Sequence, residues 1–214
     1  MSYQLRISEI FFSLQGETSY VGLPTVFVRL TGCPLRCAYC DTTYAFKGGE
    51  WMDAEQIIEK IAAYKTRYVC VTGGEPLAQK DCRKLLRDLV EQHYHVSLET
   101  SGSIAIGGVD QRVKRVVDLK TPASGEMDKN LFDNIEYLTE HDEVKFVICD
   151  REDYEWSKQQ LAAYQIDRRC PVLFSAAEGM LDSSELADWI VADNLPVRMQ
   201  IQLHKYLWGG GEGR

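Results

Sequence analysis

The sequence predicts an α/β fold: an incomplete (partial) TIM-like barrel of mostly parallel strands with helices outside. Short apolar, β-rich runs alternate with helical patterns along the chain, which argues for parallel strands joined by helical crossovers. The strand runs are apolar on both sides, as a sheet covered on both faces requires. Roughly five or six such units are present, where a full eight-unit barrel takes about 250 residues and this chain has 214. An open, doubly wound sheet is the alternative.

The strands are predicted at 25–30 (TVFVRL), 68–71 (YVCV), 96–98 (VSL), 116–119 (VVDL), 144–148 (VKFVI), 172–174 (VLF) and 199–203 (MQIQL). Each is rich in branched or aromatic residues and bounded by turn formers. Helices are predicted at 53–65, 80–92, 131–139, 153–164 and 183–192. The first has apolar residues at 57, 58, 61 and 62, a helical period. Asp53 and Gln56 there form a capping-box pattern. In either architecture, chemistry belongs at the carboxyl ends of the strands. TGC, TGGEP, ETSG and DLKTP all fall there.

The chain reads as one domain over 1–214, with a flexible tail at 209–214 (GGGEGR). Net charge is −8 with 32 acidic residues, a poor basis for direct nucleic-acid binding, which rests on Lys and Arg. A small-molecule substrate suits it better. The N-terminus, MSYQLRISEIFF, has no signal-peptide pattern, and no run approaches the 18 or so apolar residues of a membrane span. The expectation is a cytoplasmic protein with reduced thiols. Seven cysteines, an odd number, do not suggest a disulfide framework.

Three of those cysteines sit in GCPLRCAYCDT (32–42), spaced C-x3-C-x2-C. A structural zinc site takes four ligands, and no second pair exists, Cys70, Cys82, Cys149 and Cys170 being singly placed. An electron-transfer cluster normally takes four cysteines. Three leave a coordination position open, the mark of a catalytic metal site. On the residues alone, zinc completed by a distant ligand, a conventional cluster and an open cluster all stand. TGGEP (72–76) has two glycines that allow close backbone approach to a ligand. Its Glu75 could accept from an ammonium group, and a tight strand-to-helix turn is the plainer alternative.

The cysteine spacing, with Tyr39 just before the last cysteine, resembles the signature loop of the radical S-adenosylmethionine (radical SAM) superfamily. That resemblance implies a 4Fe-4S cluster held by Cys33, Cys37 and Cys40. It implies S-adenosylmethionine chelating the fourth iron, and a 5′-deoxyadenosyl radical that abstracts hydrogen. SLQGE (13–17), PTVFVRLTGCPLRCAYCDT (24–42), TGGEP, ETSG (99–102) and HKYL (204–207) occur in that order. Together they resemble the 7-carboxy-7-deazaguanine synthase family over residues 8 to 207. The family converts 6-carboxy-5,6,7,8-tetrahydropterin to 7-carboxy-7-deazaguanine with loss of ammonia, on the route to queuosine. It implies a lyase with a radical SAM core, Mg2+ and a homodimer.

Carried over by position, Tyr39, Cys40, Asp41, Gly74, Asp118, Leu119 and Lys120 would contact S-adenosylmethionine. Leu14, Gln15, Gly16 and Glu17 would meet the pterin edge. Arg29 would face the substrate carboxylate, Thr72, Glu99 and His204 would complete the pocket, and Thr42 would give an oxygen to Mg2+. Two departures stand out. The family often has Ser-Pro-Lys where this chain has Asp118-Leu119-Lys120. Many members have a late Gln-Pro where this chain has Phe174-Ser175-Ala176-Ala177. His204 is expected near the end of a strand. The acidic runs 136–143 and 150–155 are expected to be solvated. A glycyl-radical-enzyme activase and a non-enzymatic iron–sulfur or zinc module are the competing functions. A flavodoxin-like protein is the expected reductant.

Overall fold

Among residues 3–209, which the computed structural model describes, nine strands form one sheet. They are β1 (Gln4–Leu14), β2 (Pro24–Leu30), β3 (Glu50–Asp53), β4 (Tyr68–Gly73), β5 (His95–Thr100), β6 (Lys114–Leu119), β7 (Glu143–Ile148), β8 (Val172–Ala176) and β9 (Arg198–Gln200). Their order is β3-β1-β2-β4-β5-β6-β7-β8-β9. From β2 through β9 all pairings are parallel, and β1 lies antiparallel to both β2 and β3. The order is linear with β3 and β9 at the edges, so the barrel stays open.

The helices are α1 (Ala54–Ala62), α2 (Cys82–Glu91), α3 (Arg151–Tyr164), α4 (Ser183–Ala192) and α5 (Leu203–Trp208). Asp53 caps α1 through the expected box, its backbone N–H donating to Gln56 Oε1 at 2.9 Å. Ala54, Ile57 and Ile61 then bury one face of α1 against the sheet. Strand residues alternate between two sides. On β2, Val26, Val28 and Leu30 join the apolar core under the helices, while Phe27 and Arg29 face the opposite side.

Two predicted elements differ. The helix expected at 131–139 is a 3-10 segment, Phe132–Tyr137. Asn134 ties it to the loop after β5, donating to Gly102 O and Ile104 O and accepting from Ile106 N. The strand expected at 199–203 ends at Gln200, and the chain turns into α5. His204 therefore stands on a helix. Leu203 N–H donates to Gly16 O at 3.0 Å, which draws the segment away from the sheet edge. β1 and β3 are not evident in the sequence. β1 mixes apolar and charged residues (QLRISEIFFSL), so it lacks the continuous apolar run of its parallel neighbours. Gly209 caps α5, and the remainder of the predicted flexible tail, 210–214, lies outside the described residues. Among the described residues no helix is long and apolar enough to cross a membrane.

The two acidic runs are only partly solvated. Asp142, Glu143 and Asp153 are fully buried because buried N–H groups need acceptors. Asp142 takes Arg115 N and Nε, each at 2.9 Å, and Thr139 N at 2.9 Å. Glu143 takes Lys114 Nζ at 3.2 Å and Ser19 N at 3.0 Å. Asp153 takes Thr121 Oγ1, Ala123 N and Cys149 N. Replacing Asp142 by Ala would leave Arg115 buried without its carboxylate. The expected loss is about 3–5 kcal/mol, read as a lowered urea midpoint with an unchanged slope.

Candidate active site

Five adjacent parallel strands each place a polar side chain on the inner side of the sheet, four near the carboxyl end and one midway along its strand. They are Arg29 on β2, Thr72 on β4, Glu99 on β5, Asp118 on β6 and Lys145 on β7, and all five line one cavity of ≈ 370 Å3. That volume suits a small molecule. Arg29 is in register with Thr72, and Asp118 with Lys145. Each charge has a partner. Glu99 accepts from Thr72 Oγ1 at 2.9 Å and from Gln15 Nε2 at 3.3 Å. Asp118 Oδ2 meets Lys120 Nζ at 2.9 Å, and Lys145 Nζ donates to Glu17 Oε2. Arg29 Nε donates to Glu9 Oε1 at 2.6 Å, and Tyr44 OH donates to that same oxygen at 2.7 Å. Burial works against the Arg29 charge, but the bond to Glu9 and the surrounding negative groups outweigh it and raise its pKa further.

The cysteine loop leaves β2 directly and packs on the end of β4. A Cβ on Gly74 would lie 2.4 Å from Gly32 O and 2.6 Å from Cys33 Cβ, so the contact requires glycine. Arg36 folds the loop back on itself, donating to Cys33 O and Leu35 O and stacking 4.2 Å over the Phe46 ring centroid. Cys33, Cys37 and Cys40 are free, half-buried and open to the cavity. Burial pushes the Cys33 and Cys37 thiols up, and the Lys120 ammonium pulls both the other way. Glu75 is not available to a ligand. Fully buried, it accepts from Leu77 N, Thr100 Oγ1, Ser101 N and Ser101 Oγ, tying the turn after β4 to the end of β5.

The loop after β1 and helix α5 cover the open side. Thr18 N donates to Gln200 Oε1 at 2.9 Å, and Gln200 Nε2 returns a bond to Thr18 O at 2.8 Å. Lys205 bridges Asp41 and Glu178, each at 3.0 Å. Burial pushes the Asp41 carboxyl up, but Lys205 and the Thr42 hydroxyl outweigh it and bring its pKa to about 2. Burial lowers the pKa of His204 below 6.5, so its ring is neutral at pH 7. Among the described residues, three buried polar atoms on this cavity lack a hydrogen-bond partner: Glu17 Oε1, Tyr39 OH and Asp118 Oδ1. Buried polar atoms are normally paired, so three together mark a surface built for a ligand.

The chain is similar to known proteins over most of its length. The radical SAM superfamily matches residues 27–159. A 7-carboxy-7-deazaguanine synthase from Chlorobaculum tepidum is 44% identical over 207 residues, covering 95% of this chain and 94% of the relative. One from Koribacter versatilis is 41% identical over 219 residues, covering 95% and 97%. The chain belongs to the 7-carboxy-7-deazaguanine synthase family of radical SAM enzymes. A crystal structure of QueE from Escherichia coli is 25% identical, with a TM-score of 0.77 over 94% of this chain and 95% of that one.

A radical SAM enzyme of this family works with a 4Fe-4S cluster and S-adenosylmethionine. Among the described residues, no three His, Cys, Asp or Glu side chains are arranged to hold a single metal ion. A cluster asks something different, namely one thiolate for each of several irons. Three free thiols on one cavity wall, with a buried lysine beside two of them, fit that need. The unpaired Tyr39 hydroxyl and Asp118 Oδ1 lie on the same wall and fit a polar cofactor.

Every site residue predicted from the family resemblance lines the cavity except Leu119. The Leu119 side chain is fully buried in the apolar core, because alternation on β6 turns it away from Asp118 and Lys120. Sequence reasoning missed Lys145, Glu9 and Lys205. Lys145 did carry a signal, as the lone charge in an apolar strand, VKFVI. Glu9 carried none, lying in a strand whose composition hides it. Gly16 is a further constraint, since a Cβ there would sit 2.1 Å from His204 Nδ1. Gly16→Ala is expected to push α5 off the pocket. Amide hydrogen exchange at 203–208 should accelerate while the far-ultraviolet circular dichroism stays unchanged.

Proposed function

We propose that this cavity contracts the ring of 6-carboxy-5,6,7,8-tetrahydropterin to 7-carboxy-7-deazaguanine with release of ammonia, the activity for which the family is named. The observation that carries this is the inward row of Arg29, Thr72, Glu99, Asp118 and Lys145 facing the same space as the three free thiols. When bound, the reduced cluster and S-adenosylmethionine supply radical hydrogen abstraction.

The chain's own residues bind and orient. Cys33, Cys37 and Cys40 would hold the cluster as soft thiolates, with Lys120 offsetting their charge. Tyr39, Cys40, Asp41, Gly74, Asp118 and Lys120 would meet S-adenosylmethionine, and Leu119 only through its backbone. Arg29 is bound to Glu9 through Nε, which leaves its terminal N–H groups to hold the substrate carboxylate as a fork. Leu14, Gly16, Gln15 and Glu17 would receive the pterin edge, with Thr72 and Glu99 fixing Gln15. His204, neutral at pH 7, can accept from or donate to the ring. Thr42 would give its oxygen to Mg2+. The homodimer rests on the family resemblance; a cytoplasmic location and a flavodoxin-like donor complete the reading, and the free thiols suit a reducing compartment.

A glycyl-radical activase would need an open surface for a large protein. The polar cavity favours a small substrate instead. Anaerobic reconstitution with iron and sulfide, then reductant, S-adenosylmethionine, Mg2+ and the pterin, should yield 7-carboxy-7-deazaguanine by mass. An intact cluster that cleaves S-adenosylmethionine and leaves the pterin untouched would overturn the reading. Changing Cys33, Cys37 or Cys40 to Ala should abolish turnover, and any variant that retains it loses its place as a ligand. Arg29→Ala should raise KM for the pterin roughly tenfold to a hundredfold, the worth of a charged hydrogen bond. Its iron content should stay unchanged.

A further inference from the structure

Lys145 has no role in the scheme above, yet it sits at the centre of the pocket's charge. It stands on β7 beside Asp118 of β6, its side chain largely buried. Its ammonium donates to Glu17 Oε2, while Glu17 Oε1 is buried on the cavity wall with no hydrogen-bond partner among the described residues. The groups facing Glu17 are Lys145, the Gln202 side chain and His204 of α5. Facing Lys145 in turn are Asp118, Glu99 of β5 and, from the cysteine loop, Asp41. No second cation is bonded to Glu17 among the described side-chain contacts.

We propose that Lys145 is a positioning residue: it holds Glu17 as a carboxylate with Oε1 free, so that the pocket selects a ligand edge made of N–H donors. This rests on the reading of the cavity as a pterin site. A carboxylate accepts only, and suits the amino and ring N–H groups of a pterin edge. A protonated Glu17 would set an O–H donor against those donors. Burial alone pushes Glu17 towards the neutral acid. Lys145 outweighs it, with help from Gln202 and His204, and its pKa ends below the ordinary value. Without the ammonium, burial is the largest influence left on the Glu17 carboxyl, and it drives the group towards the neutral acid. The sign follows: with Lys145 removed, the carboxylate fraction returns as pH rises, and ligand binding returns with it.

The test is calorimetric titration of 6-carboxypterin, the oxidised analogue, into reconstituted enzyme with S-adenosylmethionine from pH 6.5 to 9. The Glu17→Gln series is the control for titration of every other group, His204 and Asp41 included, across that window. The ratio of variant to wild-type Kd at each pH cancels titration of the ligand itself. Lys145→Met should bind at least tenfold more weakly at pH 6.5, with the ratio falling towards one by pH 9. Lys145→Arg should keep a ratio near one throughout. Glu17→Gln should be weak at every pH, and Lys145→Met combined with Glu17→Gln should be no weaker than Glu17→Gln alone. The combined variant removes both buried charges, so it decides the question even where Lys145→Met fails to fold. A ratio that does not change with pH, or a combined loss larger than that of Glu17→Gln, overturns the proposal by giving Lys145 a direct contact. Absence of binding to the wild-type enzyme overturns the pterin reading itself.

Discussion

Five inward polar groups on five adjacent parallel strands impose the main constraint on this fold. A sheet covered on both faces buries what it points inward, and a buried charge without a partner is costly. The sheet itself supplies few partners. They come instead from its margins: Glu9 on β1 for Arg29, Gln15 for Glu99, Glu17 for Lys145, and Lys120 for Asp118. The antiparallel hairpin of β1 and β2 is therefore more than an edge. It delivers the acids and the amide that make the inner row tolerable.

These pairings leave chemical capacity unused. Arg29 is engaged through Nε, while Glu17 and Asp118 are each engaged through one oxygen. Glu75 is the contrast. It lies just past a strand end, within a motif that suggests ligand contact, yet both its oxygens are used inside the protein. Its role is to hold the turn after β4 against β5, which in turn fixes the wall on which the cysteine loop rests.

Much of this is legible in the sequence. The parallel strands announce themselves as apolar runs, and the cysteine loop and TGGEP fall at their carboxyl ends by a rule of the fold. What stays hidden depends on distant partners. Asp142, Glu143 and Asp153 sit in acidic runs that look solvated, and only the folded chain brings Arg115, Lys114 and Thr121 to them. Lys145 reads as an oddity until Glu17 arrives from 128 positions away. The strand composition of MQIQL points to a strand end for His204. The two-way bond between Gln200 and Thr18, and that of Leu203 to Gly16, turn the segment into a helix over the pocket instead.

That bond between Gln200 and Thr18 joins residues 182 positions apart. The cost of closing so long a loop is met only once the strands between have brought its ends together. The wall over the pocket thus depends on strands that the rest of the chain must form. The sheet and the cysteine loop do not depend on that wall in return, so the thiols are positioned by a part of the fold that stands without it.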